Sequence, residues 1–228
     1  RYAWARLHTQ STDLAPMRAR WVQDGGARLC HYLRVELDQT SPRPLPTGLI
    51  ACNHISYLDI PVIAAHFPCA FISKAEVKNW PLFGWLAQAA GSLFLKRESR
   101  TATRDIAAAM RARLHAGERL VVFPEGTSSD GSTVLPFRPA LFAAAIEARA
   151  RVVPAALTYH LDQGTVARDI AYWGDMTLFP HLCHLLGQRR IRARFTWGLP
   201  IDPLPDRKQL AAEAHRQVLA LHSGLINT

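Results

Sequence analysis

Gly48-Leu49-Ile50-Ala51-Cys52-Asn53-His54-Ile55-Ser56-Tyr57-Leu58-Asp59 opens with a short apolar run, passes through a polar turn and enters a helical pattern. Such a run bounded by turn residues reads as a buried strand, here 48–52, and residues 59–66 read as a helix. The same alternation recurs downstream. Residues 70–73 read as a strand, 82–90 as a helix and 92–95 as a strand. Residues 101–115 read as a helix with Ile106, Met110 and Leu114 on one stripe, and 120–123 as the strand that follows. A helix at 139–149, strands at 152–157 and 191–197, and a closing helix at 206–222 complete the series. Strands alternating with helices predict an α/β fold, a single layered domain with a largely parallel mixed sheet flanked by helices. There are no internal repeats or low-complexity tracts.

Upstream of this series the pattern differs. Residues 1–34 read as an amphipathic helical segment, with Trp4, Leu7, Met17, Trp21, Leu29, Tyr32 and Leu33 set among Arg1, Arg6, Arg18, Arg20, Arg28 and Arg34. Two readings fit it: a helix at a membrane interface, where Trp sits at headgroup depth and Arg meets lipid phosphate, or a helix packed on the core with a charged outer face. Ser41-Pro42-Arg43-Pro44-Leu45-Pro46 then reads as a stiff linker, because proline fixes φ and removes donors. The chain therefore divides into an N-terminal membrane-associating segment, 1–40, and a main domain, 41–228.

Composition sets the range of functions. The chain has 228 residues, 49% of them apolar, which excludes disorder and is enough for one large core. The formal net charge of +9 favours an anionic partner such as nucleic acid, anionic lipid, a phosphorylated substrate or an acidic carrier protein, or else a soluble enzyme with a basic surface. The basic residues are spread along the chain, and no helix-turn-helix, zinc finger or aromatic stacking motif occurs, so nucleic acid is not an expected partner. Cys30, Cys52, Cys69 and Cys183 lack C-x-x-C or zinc-ligand spacing and read as reduced thiols. No run of 18 apolar residues and no signal peptide occurs. The chain begins at Arg1 rather than Met, which is compatible with an anchor removed upstream.

Three clusters carry chemistry. His54 follows a strand, where reactive groups of α/β proteins collect, and a histidine titrates near neutral pH. Asp59, five residues on, can fix its tautomer if the chain turns between them. Phe123-Pro124-Glu125-Gly126-Thr127 again follows a strand and holds a carboxylate rigidly at its end. It suits a hydroxyl acceptor or a basic partner, and is equally an ordinary turn. Gly91-Ser92-Leu93-Phe94-Leu95-Lys96-Arg97 ends a strand in two cations, and Arg offers a planar fork that matches phosphate or carboxylate.

Taken in order, Asn53-His54 with Asp59, Gly91 with Phe94 and Arg97, Phe123-Pro124-Glu125-Gly126-Thr127 and Val152-Val153-Pro154-Ala155 resemble the lysophospholipid acyltransferase family over about residues 45–200. The resemblance implies a glycerolipid acyltransferase-like fold and a His-Asp dyad without an enzyme nucleophile. His54 would act as general base on a lysolipid hydroxyl, and Asp59 would orient it. Backbone amides near 71–75, that of Lys74 among them, would hold the oxyanion. Lys74 itself matches a family lysine. Arg97 and Glu125, with Gly91, Gly126 and Thr127, would bind the acceptor headgroup.

The implied donor is acyl-CoA or an acyl carrier protein, with no metal and no organic cofactor. The implied setting is the cytoplasmic face of a bacterial inner membrane, with the membrane surface and a lipid acceptor as partners. The first acceptor implied is 1-acyl-sn-glycerol-3-phosphate, giving phosphatidic acid. Many members place Arg after the Phe-Pro-Glu-Gly-Thr stretch, where this chain has Ser128; Arg138 is a candidate substitute. The stretch Tyr172–Met176 before Pro180-His181-Leu182 resembles instead the subgroup with lyso-ornithine lipid acyltransferases, which acylate a hydroxyl on an amide-linked fatty acid.

Other residues read as structural. His181 and His184 have metal-compatible spacing but no carboxylate partner in the sequence, and read as a surface or lipid-facing pair. Asp175 reads as turn chemistry and 129–131 as a surface loop. Residues 80–86 read as a core helix, an acyl-groove lining or a segment that dips into the membrane.

Overall fold

The computed structural model describes residues 14–38, 46–79, 83–95 and 100–227. The chain runs from α1 (Leu14–Tyr32) and β1 (Val35–Asp38) into β2 (Gly48–Cys52), α2 (Asp59–His66), β3 (Ala70–Lys74), α3 (Phe83–Ala89), β4 (Leu93–Leu95) and α4 (Arg100–His115). It continues with β5 (Arg119–Val122), α5 (Ala143–Glu147), β6 (Val152–Leu161), α6 (Val166–Asp169), α7 (Leu178–Leu186), β7 (Ile191–Trp197) and α8 (Arg207–Ile226). Short 3-10 turns, Ala75–Asn79 and Pro139–Phe142, precede α3 and α5.

The strands form one sheet in the order β1-β7-β6-β2-β5-β3-β4. Strands β4, β3, β5, β2 and β6 are parallel to one another, whereas β7 runs antiparallel to β6 and β1 follows β7 in parallel. This is the expected mixed, largely parallel sheet. Strand β2 lies in its middle and is fully buried along its length, as a strand covered on both faces must be.

Side chains of β2 alternate between two cores. Ile50 and Cys52 face one side with Val62 and Ile63 of α2, Val22 and Cys30 of α1 and Leu185 of α7. Leu49 and Ala51 face the other with Met110 and Leu114 of α4, Ala144 and Ala145 of α5 and Leu210, Ala214 and Val218 of α8. The connection from β2 runs past β5 to β3, and that from β5 runs back past β2 to β6. These opposite crossings make the carboxyl ends of β2 and β5 a switch point, where open α/β sheets hold their ligands.

Several elements depart from expectation. Within the segment expected to be separate, 1–40, residues 14–32 form α1 and lie against α2, while 35–38 form a strand of the same sheet. Of the two readings of that helix, core packing describes the stripe Val22, Gly26 and Cys30, and Met17, Leu29 and Tyr32 remain exposed. Residues 1–13 and 39–45, the latter holding most of the proline-rich linker, lie outside the described residues. The helix expected at 139–149 begins as a 3-10 turn, because Pro139 starts it, and β6 continues four residues beyond its expected end. Of the segment 80–86, Gly84 is buried and Trp85 is exposed, and 80–82 lie outside the described residues. Among the described residues, no helix is long and apolar enough to cross a membrane.

Helix α1 contains two adjacent glycines in different surroundings. A Cβ on Gly26 would stand 2.7 Å from the carbonyl oxygen of Pro61 in α2, whereas one on Gly25 would meet nothing within 4 Å. The two helices approach backbone to backbone at Gly26. Gly25→Ala is therefore expected to stabilise the protein by about 0.5–1 kcal/mol, the helix-propensity gain. Gly26→Ala is expected to destabilise it despite the same gain. Urea denaturation of the two variants checks both signs.

Candidate active site

After β2 the chain turns through Ser56-Tyr57-Leu58-Asp59, with the Asp59 amide donating to the Ser56 carbonyl at 3.1 Å. The turn carries the Asp59 carboxylate back to His54. Oδ2 of Asp59 meets His54 Nδ1 at 2.7 Å and accepts from the amides of Ile55 at 2.7 Å and Ser56 at 3.1 Å. Oδ1 accepts from the Tyr159 hydroxyl at 2.7 Å. The Asp59 side chain is 0% exposed and that of His54 is 21% exposed. With Nδ1 directed at a carboxylate, that nitrogen carries the ring proton and Nε2 presents its lone pair. The imidazole also stacks on Phe123, centroid to centroid 4.1 Å, which fixes its plane.

Asn53 holds the loop from the other side. Its Nδ2 donates to the Leu157 carbonyl at 2.9 Å and its Oδ1 accepts from the Leu157 amide at 2.8 Å. Cys52 is already paired with Ala155 in the β2–β6 ladder, so the Asn53 side chain supplies the next step of that ladder after the backbone has turned away.

Because β2 and β5 are parallel neighbours, Glu125 arrives beside His54. Its Oε1 accepts from the His54 amide at 2.9 Å and the carboxyl also accepts from the Leu135 amide, while Oε2 is buried and has no partner among the described residues. Burial pushes the Glu125 carboxyl up to about 8; the amides of His54 and Leu135 oppose the rise. Gly126 has φ +73°, and its amide donates to the Phe123 carbonyl at 3.1 Å, closing the turn that delivers Glu125. Thr127, next in the chain, is exposed. Nε of Arg138 donates to the Glu125 carbonyl at 3.3 Å, which puts an exposed guanidinium at the rim.

The sequence did not reveal three features of the site. Tyr159 lies on the face of β6 that also carries Val153, Ala155 and Leu157. A hydroxyl at an apolar position of that alternation is the signal that could have found it. His181, expected at the surface, is buried: Nε2 donates to the Ala171 carbonyl at 3.0 Å, so Nδ1 accepts from the Tyr57 hydroxyl at 2.9 Å. Burial lowers its pKa, in keeping with a neutral ring. His184 is partly exposed and meets Asp169 at 2.7 Å. Residues 129–131, expected as a surface loop, include the buried Ser129, whose amide donates to the His54 carbonyl at 2.9 Å. Ser128 donates through its hydroxyl to the Tyr172 carbonyl, and the Tyr172 amide to the Ile55 carbonyl at 2.9 Å. Three loops are thus tied into one.

Gly91 is not brought to this place. It precedes β4, at the amino end of that strand, whereas His54 and Glu125 follow the carboxyl ends of parallel strands. Its φ is +70°, its carbonyl accepts from Arg113 Nη1 at 2.7 Å, and a Cβ there would run into the Arg18 side chain. It serves as a turn residue at the opposite end of its strand from the His54 and Glu125 loops. Lys74 ends β3, on the same side of the sheet as His54. Strand β3 is paired along its whole length, with β5 over 70–71 and with β4 over 72–74, so the amides expected at the oxyanion lie largely within the sheet. Arg97 lies outside the described residues. Among the described residues, no group of three or more His, Cys, Asp or Glu side chains is placed to hold a metal ion.

A buried carboxylate at the start of α2, a partly exposed imidazole and a glutamate loop meet at the switch point. The chain belongs to the acyltransferase family, whose model matches residues 33–158. It is 37% identical to a lyso-ornithine lipid O-acyltransferase of Pseudomonas aeruginosa over 222 residues, 95% of this chain and 84% of that protein. It is 36% identical to a 1-acyl-sn-glycerol-3-phosphate acyltransferase of Neisseria meningitidis serogroup B over 179 residues, 78% of this chain and 70% of that protein. The crystal structure of the 1-acyl-sn-glycerophosphate acyltransferase PlsC from Thermotoga maritima shares the fold, with a TM-score of 0.73, 20% identity and coverage of 100% of this chain and 88% of that one.

Two outcomes test this geometry. Tyr159→Phe leaves a buried carboxylate oxygen without its donor and is expected to lower stability by about 1–3 kcal/mol in urea denaturation. Glu125, raised above its usual 4.5, binds its proton more tightly folded than unfolded. Its contribution to stability is therefore full below about 4.5 and declines as pH rises toward about 8. Glu125→Gln, which mimics the protonated acid, is expected to gain stability relative to the parent across that window. Denaturation at pH 5 and pH 8.5 checks the sign.

Proposed function

We propose that this enzyme transfers a fatty acyl group from a thioester, of CoA or of an acyl carrier protein, to the free hydroxyl of a lysolipid, with His54 as general base. The observation that carries this reading is the division of labour on one ring: Nδ1 is held by the buried Asp59, and the ring is open enough for Nε2 to meet a substrate. Nε2 takes the proton of the acceptor hydroxyl as its oxygen attacks the thioester carbonyl. Asp59 stabilises the imidazolium so formed. The tetrahedral intermediate collapses with cleavage of the C–S bond, and the imidazolium returns the proton to the leaving thiolate. The thioester is already activated, so the reaction needs no metal and no organic cofactor. Glu125 acts on the loop, holding the His54 amide, and Arg138 and Thr127 stand at the rim where an acceptor headgroup would pass.

For the acceptor we favour a lyso-ornithine lipid. The support is the Pseudomonas aeruginosa relative, similar over nearly the whole chain, together with Ser128, an uncharged residue after Thr127 whose hydroxyl ties its loop to Tyr172. A second reading, 1-acyl-sn-glycerol-3-phosphate, is favoured by the exposed Arg138 beside the Glu125 carbonyl and by the Neisseria relative. Both acceptors place the enzyme at a membrane, and a CoA or carrier-protein donor places it on the cytoplasmic face of a bacterial inner membrane.

Transfer of a radiolabelled acyl group from either donor to the two acceptors in parallel tests the reading. His54→Ala and Asp59→Asn are each expected to lower kcat by roughly 10²–10⁴, the usual contribution of a positioned general base, with little change in KM. Turnover by His54→Ala at the parent rate would remove His54 from the chemistry.

A further inference from the structure

Helix α7 has two unlike faces. His181 and Leu185 point inward and are buried. Phe179, Cys183 and Leu186 recur at i, i+4 and i+7 and so share the outer face. Phe179 is 75% exposed, Leu186 56%, and Trp173, in the loop leading into the helix, 42%. The helix contains no Lys, Arg, Asp or Glu. Charges flank it instead: Arg168, which is exposed and pairs with Asp169, stands before it, and the exposed Arg189 and Arg190 follow it, Arg190 paired with Glu36. Asp175 is the exposed acid of the intervening loop. This strip borders the catalytic loop. Trp173 directly follows Tyr172, whose amide binds Ile55, and His181 on the inner face binds Tyr57.

We propose that Trp173 and the outer face of α7 form the surface by which this enzyme docks on an anionic bilayer. The aromatic rings would sit at the boundary between headgroups and acyl chains, and Arg168 and Arg189 would meet lipid phosphates. The proposal rests on the lysolipid reading above. Such an acceptor keeps its own chain in the bilayer, so its hydroxyl reaches His54 only where the rim of the site meets the membrane.

The residue types select this occupant. Trp and Phe on one side of a short helix with arginines at its ends is the composition of an interfacial element, and the chain's charge of +9 complements anionic lipid. An acidic carrier protein would call for cations within the strip, which has none. A second copy of the chain would need about 800 Å² on each side, far more than these few side chains offer.

Cys183 provides a native reporter, being the exposed member of four free cysteines whose other three are buried. Its rate of modification by a water-soluble maleimide is measured with the protein alone, with phosphatidylglycerol vesicles, with phosphatidylcholine vesicles and with acyl carrier protein. Phosphatidylglycerol vesicles are expected to slow the reaction at least ten-fold, and carrier protein or a higher protein concentration is expected to leave it unchanged. Phe179→Asp, whose thermal melt verifies folding, is expected to restore fast modification on vesicles. It is also expected to reduce turnover of a vesicle-embedded lysolipid at least ten-fold, with turnover of a short-chain, water-soluble lysolipid unchanged. Trp173→Ala is a second variant with the same expected direction.

Unchanged modification of Cys183 with anionic vesicles overturns the proposal, whether the protein ignores the vesicles or binds them through another face. Protection by carrier protein or by self-association in place of vesicles overturns it equally. Protection by vesicles in an enzyme that acylates no lysolipid would strike the acceptor reading and leave the docking surface standing.

Discussion

The carboxylate of Asp59 is wholly buried, and an unpaired charge in such a place would cost far more than a protein of this size has in net stability. It persists because four donors converge on it: two amides of its own turn, the hydroxyl of Tyr159 and the imidazole of His54. These donors come from the loop after β2 and from β6, so satisfying one charge fixes the loop, the first turn of α2 and a neighbouring strand relative to one another. The imidazole is thereby held by the same interaction that makes burial of the carboxylate tolerable. A partner lost from this set leaves the rest with a desolvated charge, which is why such networks act as units.

Sheet topology decides what else meets that loop. Strand register sets β2 and β5 side by side with their carboxyl ends at one edge, and the opposite directions of their onward connections leave the space above them open. The Glu125 loop arrives there and bonds the His54 amide, and the loops at 128–131 and 170–172 bond to it in turn. The loop is thus held through its backbone groups, the His54 amide by the Glu125 side chain and the His54 and Ile55 carbonyls by the amides of Ser129 and Tyr172. The outward edge of the imidazole is left uncommitted.

The layered α/β fold could be read from the sequence because the strands expected at 48–52, 70–73 and 120–123 are short apolar runs bounded by turn residues, and residues 48–52, 70–72 and 120–122 are buried. Strand β1 could not. Val-Glu-Leu-Asp is four residues at a sheet edge with one buried side chain, too short and too polar to stand out from the helix before it. The pairing of His54 with Asp59 was legible as a spacing, but the contribution of Tyr159 lies one hundred residues away and depends on β6 packing beside β2. Gly91 shows the limit of linear order. It stands in sequence between two site motifs, yet it precedes its strand where they follow theirs, and only the parallel arrangement reveals that this is the other end. His181 shows another limit. Two histidines three residues apart look equivalent, but α7 turns one inward to Tyr57 and leaves the other at the edge.

The two carboxyl groups beside His54 differ in surroundings, and the difference bears on the charge of the site. Asp59 accepts four hydrogen bonds, the environment of an anion. Glu125 is desolvated, has one oxygen without a partner, and lies close enough to Asp59 to feel its charge, so it keeps its proton up to about 8. Environments that divide neighbouring carboxyls in this way are how active sites assign roles to identical groups. A single carboxylate stabilises an imidazolium during proton transfer. Glu125, whose burial opposes a second negative charge, grips the His54 amide through Oε1 and leaves Asp59 as the carboxylate that meets the ring.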